Sequence, residues 1–128
     1  DDATVLWLED DRLLLAGDTL EDTVTYVIEP HALGTHRTEL DRLKLLAPAK
    51  ILPNHGAPDV IASGGYDPSF IAATQSYIDK LLAIKAGLVS AETPLRTLLS
   101  PELQSGALRY FDAYEPVHAR NVALVVCS

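Results

Sequence analysis

The sequence contains no methionine, one cysteine, few basic residues and no long apolar run. Each shortage excludes something. With Cys127 alone, neither an internal disulfide nor a cysteine-based zinc site can form. A lone thiol fits a reducing compartment, so a cytoplasmic location is expected. No apolar stretch approaches the length of a bilayer span, and no signal-peptide pattern is present. Lys and Arg number 10 against 18 Asp and Glu, giving a net charge of -8. With no basic patch to release counterions, neither nucleic acid nor a membrane is expected as a partner. Ser63-Gly64-Gly65 is rich in glycine, but it follows no strand and lacks the Lys of a phosphate loop, which discards nucleotide binding. The missing methionine, together with the opening Asp1-Asp2, predicts that residue 1 is not the natural start and that the chain is the C-terminal piece of a longer one.

What is present is a chain of 128 residues with 48% hydrophobic content, enough for one domain and too apolar for disorder. The pattern predicts an α/β chain, strand-rich over 1–62 and helical over 67–128. Thr4 to Glu9 and Arg12 to Ala16 read as a β-hairpin around the turn Asp10-Asp11. Both strands are apolar on both faces, which predicts cover on each side. Thr19 to Asp22 reads as a polar loop, and the alternation from Thr23 to Glu29 predicts a short strand. Thr35 is placed to cap a helix from His36 to about Ala47, with Leu40, Leu43, Leu46 and Ala47 on one stripe. Pro48 ends it, and a strand Lys50 to Leu52 follows. A brief helical turn is expected over Val60 to Ala62. Asp67-Pro68 opens a helix that runs to about Ala86 and stops at Gly87. Two short helices are expected, Pro94 to Leu99 and Pro101 to about Ser105. Pro116 in a first turn favours a terminal helix over Val117 to Val126, although Val122, Leu124, Val125 and Val126 also suit a strand.

Two stretches carry the chemistry. Leu13-Leu14-Leu15-Ala16 runs into Gly17 and then Asp18. Lys50-Ile51-Leu52-Pro53-Asn54 delivers His55, followed by Gly56. Each is a short apolar strand with a polar side chain at its C-terminal tip, where open α/β architectures place their sites. An acid and an imidazole at neighbouring strand ends are what a divalent cation needs. His31 and His36 lie in the segment after Asp18 and could line a substrate pocket; their i, i+5 spacing matches no ligand pattern. His118 is expected to be a packing or surface residue, and Trp7 and Tyr26 core or sheet residues.

Ala16-Gly17-Asp18-Thr19-Leu20 with Ile51-Leu52-Pro53-Asn54-His55-Gly56 resembles the second half of the metallo-β-lactamase superfamily, and Val117 to Val122 is similar as well. The superfamily's principal motif, His-x-His-x-Asp-His, is absent. The resemblance implies the C-terminal half of an αββα sandwich, a mixed sheet with covering helices. It implies that Asp18 bridges two metal ions and that His55 is the last ligand. Gly56 would leave room for the ring and metal, and Asn54, where the family commonly has Gly, would take a left-handed conformation. The implied activity is hydrolysis of an ester, thioester, amide or phosphoester in a small-molecule substrate by hydroxide generated on two zinc ions or another divalent metal. With two ligands in this chain, no catalytic residue is assigned within it, and the fragment is expected to be inactive alone. The rest of the site would come from the missing N-terminal half. The rival expectation is a non-catalytic remnant that acts as a dimerisation or interaction module through an uncovered sheet.

Overall fold

The structure, a computed structural model, describes residues 3–128. It is a mixed α/β fold with a three-stranded sheet and six α-helices among the described residues. Strands β1 (Leu6–Leu8), β2 (Leu13–Gly17) and β3 (Lys50–Pro53) lie in the order β1-β2-β3. The hairpin is present: β1 pairs antiparallel with β2, with Trp7 opposite Leu14. β3 pairs parallel with β2, with Leu14 opposite Ile51. The parallel pair has the larger consequence, because it brings the C-terminal ends of β2 and β3, and hence Asp18 and His55, to one edge of the molecule.

Leu14 and Ala16 of the central strand β2 and Ile51 of β3 are fully buried. The expected cover on both faces fails at β1, where Leu6 is 58% and Leu8 42% exposed. As an edge strand, β1 has a partner on one side only among the described residues.

Three helices form the other layer. α1 spans Leu33–Leu45, α3 Ser69–Lys85 and α6 Glu115–Val126, and α3 packs against both α1 and α6. The central position of α3 explains its wide apolar face. Phe70, Ala73, Tyr77, Leu81 and Ile84 are all buried as their spacing predicts, and Ile71 and Ile78 are buried beside them. Each large side chain of this kind contributes about 2 kcal/mol by leaving water. Asp67 starts α3 by accepting the Ser69 amide at 2.8 Å. Gly87, at φ +72°, ends it: its own amide donates to Ile84 and that of Leu88 to Ala83. The terminal helix, ambiguous by composition, is α6.

Elsewhere the chain departs from expectation. α1 begins at Leu33, running on from a 3₁₀ turn at Pro30–Ala32, so Thr35 lies inside it and does not cap it. Of the expected stripe, Leu40 is buried, but Leu46 is exposed and Ala47 leaves the helix at φ +51°. The Arg12 guanidinium holds the Ala47 carbonyl there, through Nε at 3.0 Å. The shorter helices α2 (Pro58–Ala62), α4 (Leu95–Leu98) and α5 (Ser100–Gln104) lie close to where the proline signals put them. Gly65, at φ +110°, passes so close to Ile51 that a Cβ would collide with its carbonyl. This approach lets Tyr66 pair with Ile51 in both directions, each at 2.8 Å.

The largest departure is residues 18–29. No strand forms over Thr23 to Glu29. The segment is a strap crossing from the sheet to α6, and most of the part read as a polar loop is deeply buried: Leu20, Glu21 and Asp22 are all 4% exposed or less. Two of the backbone bonds a partner strand would supply come from one side chain. Asn121 accepts the Val27 amide through Oδ1 and donates through Nδ2 to the Thr25 carbonyl, both at 2.9 Å.

Candidate metal centre

Gly17 adopts φ +56° at the end of β2, where its carbonyl accepts the Asn54 amide at 3.0 Å. This turn ends the apolar strand abruptly and presents Asp18 at its tip. Asn54 begins the loop after β3. It has no positive φ, contrary to the expectation that it replaces a left-handed glycine. Its function is carried by the side chain, whose Nδ2 donates to Asp18 Oδ1 at 3.2 Å and orients that carboxylate.

His55 follows. Its Nε2 lies 3.6 Å from Asp18 Oδ1 and 3.8 Å from Glu21 Oε1. These separations exceed hydrogen-bond length, so the three groups converge without closing on one another. One donor atom from each of Asp18, Glu21 and His55 lies within 4.8 Å of the others, and the group can hold a metal ion. Two carboxylates and an imidazole suit zinc, iron or manganese alike.

The three are held differently. The side chains of Asp18 and His55 are 67% and 62% exposed, whereas that of Glu21 is 5% exposed. Glu21 is fixed by the Tyr26 amide, which donates to Oε2 at 3.2 Å. Burial raises the Glu21 carboxyl above its ordinary value; the Tyr26 bond and His55 oppose this, and the Asp18 charge adds to it. A cation among these groups would offset both the lost hydration and the mutual repulsion, so the donor set fits a divalent ion electrostatically.

A buried relay supports the His55 loop. The Asp22 amide donates to the His55 carbonyl at 3.2 Å. The Asp22 carboxylate accepts the Tyr66 hydroxyl at 2.6 Å and the Arg109 amide at 2.9 Å. Tyr66 in turn accepts the Ala57 amide at 2.7 Å. Burial pushes the Asp22 carboxyl up to about 6, against the pull of Tyr66 and Arg109. A Cβ on Gly56 would lie 2.9 Å from the Tyr66 hydroxyl. A side chain at Gly56 would therefore collide with the Tyr66 ring.

Asp18, Glu21 and His55 open into a cleft of about 560 Å³ whose lining also includes Tyr26, Tyr114 and Arg120. A more apolar hollow of about 660 Å³, lined by Pro58, Ile61 and Phe111, lies on the other side of His55. His36 is not in the cluster. It lines a neighbouring cavity of about 390 Å³ with Asp18 and Thr19, and its Nε2 lies 3.1 Å from the Thr19 carbonyl. Burial lowers the His36 pKa, with the Thr19 contact opposing. His31 sits exposed in the 3₁₀ turn and outside the lining of all three cavities.

Sequence reasoning paired Asp18 with His55 but missed Glu21, Tyr114 and Arg120. The available signal for Glu21 was its place three residues after Asp18, on the same loop. Compared with known family models and with curated proteins, the chain finds no match.

Proposed function

We propose that this chain forms part of a metal-dependent hydrolase of the metallo-β-lactamase type, with Asp18, Glu21 and His55 as its share of the cation ligands. The observation that carries the proposal is the convergence of three donor atoms within 4.8 Å at the ends of two parallel strands. The sequence resemblance at Gly17-Asp18 and Asn54-His55-Gly56 supports it independently. When bound, a divalent cation supplies Lewis acidity and acidifies a water for attack on an ester, thioester, amide or phosphoester. The chain's residues keep the site ready for that ion. Asn54 turns the Asp18 carboxylate inward, Tyr26 holds Glu21, and the Asp22–Tyr66 relay fixes the loop that carries His55. Three protein donors suffice for an open site, while the two-ion centre of the superfamily needs ligands beyond this chain. The reading includes a small-molecule substrate and a cytoplasmic location, the latter supported by the single cysteine. No helix among the described residues is long and apolar enough to cross a membrane.

A second reading is favoured by the exposed leucines of β1: association through the sheet edge, with either a second copy or a complementary half. Bound metal and molar mass measured on one sample separate the two. Stoichiometric zinc or manganese that is lost in Asp18→Asn supports the hydrolase reading. A stable dimer that takes up no metal supports the second and overturns the first.

A further inference from the structure

The cleft beyond the three ligands contains a cation of the protein's own. Arg120 projects from α6 into its lining. The other arginines are engaged: Arg12 on the Ala47 carbonyl, Arg37 on Asp79, Arg42 on Glu39, Arg109 on Asp59, and Arg96 over the Tyr110 ring. Among the described residues Arg120 is the one arginine with no hydrogen bond, ion pair or ring contact. In a chain of net charge -8 it shares the lining of one cleft with two carboxylates and pairs with neither.

The helix turn that carries it is anchored. Asn121, fully buried, clamps the adjacent turn of α6 to the strap at Thr25 and Val27. His118, 3% exposed, is bound on both ring nitrogens, with Nδ1 3.1 Å from the Tyr77 hydroxyl and Nε2 3.0 Å from the Thr93 carbonyl. Arg120 therefore stands on an anchored helix and lines the same cleft as Asp18, Glu21 and His55. A guanidinium of this kind presents a planar fork of donors matched to a carboxylate or phosphate. At about 560 Å³ the cleft is of small-molecule size.

Resting on the hydrolase reading, we infer that Arg120 is a substrate-binding residue and that the substrate is an oxyanion, carrying a carboxylate or phosphate group apart from the bond to be cleaved. The anion would bridge Arg120 and the cation held by the three ligands. Without that cation Asp18 and Glu21 repel it, so anion affinity should rise when metal is bound.

The test is a pair of NMR titrations on the whole chain. Zinc is added first, following the His55 ring signals. Methylphosphonate and, separately, succinate are then added to the zinc-loaded and zinc-free chain, following the Arg120 Nε–Hε signal. The expected result is saturable binding that is about tenfold tighter with zinc and at least about tenfold weaker in Arg120→Gln, with Arg120→Lys in between. Response to one probe alone identifies the group as phosphate or carboxylate. An unchanged melting temperature shows that the variants are folded, as the exposed position of Arg120 predicts. Equal anion affinity in wild type and Arg120→Gln, or no binding of either probe, overturns the inference while leaving the metal reading intact. Immobile His55 signals on zinc addition overturn the metal reading instead. The zinc-free titration then decides alone: Arg120-dependent binding sustains an anion site, and its absence removes it.

Discussion

Two histidines sit in opposite circumstances. His118 is buried in the helical layer with both ring nitrogens occupied, in a chain that runs from the Thr93 carbonyl through the imidazole and the Tyr77 hydroxyl to Asn121 at 3.1 Å. Because the Thr93 carbonyl can only accept, Nε2 carries the proton and Nδ1 accepts from Tyr77. His55 is mostly exposed, and its Nε2 faces two carboxylates at distances too long for bonding. A saturated network specifies a structure and has no capacity left for a ligand. An open cluster contributes little to folding and keeps its valences for something else. Asn121 serves the first region and indirectly the second, since it ties down the strap that carries Glu21.

If this contrast is correct, damage to the two regions should be read by different instruments. The largest effect is expected from Asn121→Ala. It strands the Val27 amide and the Thr25 carbonyl, both in buried residues, and should lower the unfolding free energy by about 3 kcal/mol in urea titration. A loss below about 1 kcal/mol would mean that the clamp is dispensable. His55→Ala should do the reverse. Zinc affinity measured by calorimetry should fall about a hundredfold, while stability shifts by less than about 0.5 kcal/mol, as for exposed positions generally.

Glu21→Gln tests the boundary between the regions, because Glu21 is buried yet faces the cluster. The amide keeps an acceptor for Tyr26 and removes a charge that burial disfavours. Zinc affinity should fall about tenfold, whereas the metal-free chain should be unchanged or more stable by less than about 1 kcal/mol. A metal-free variant clearly less stable than wild type would place Glu21 with the structural group.

The smallest effect concerns pH in the helical layer. Glu102 accepts from Lys80 at 2.7 Å and from Ser76 at 2.5 Å. Burial alone would raise its carboxyl, but these bonds outweigh burial and leave it below its ordinary 4.5. A depressed carboxyl stabilises the fold fully above the unfolded value and ceases to do so as pH falls through the folded one. The urea midpoint should therefore decline on acidification from pH 5 to 3, and Glu102→Gln should decline less.

The contrast also explains what could be read from the sequence. Asp18 and His55 were legible because each closes a short apolar run at a turn, a local pattern. Parallel pairing of those runs then follows from the helix between them. Glu21 was not legible, because its burial depends on how the strap folds back to set the Tyr26 amide on its carboxylate, which no local pattern records. The alternation holds only over Thr25 to Ile28, where Thr25 and Val27 are buried and Tyr26 and Ile28 exposed; Thr23 and Val24 are both buried. It misled because alternation records only which side faces inward, and a side-chain amide can satisfy an extended backbone as a strand does. Thr35 failed as a cap because Pro30 started the turn earlier.

Cys127 lies one residue beyond α6, exposed, next to Ser128, whose hydroxyl accepts from Lys85 at 2.9 Å and donates to Val125 at 2.8 Å. The chain holds no other thiol. A maleimide dye or nitroxide will therefore attach at a single place without any prior mutagenesis. That place is the end of the helix whose other turns carry Arg120 and Asn121. Paramagnetic broadening from such a label would provide a ruler across the molecule, reporting whether the helix shifts when the cleft fills.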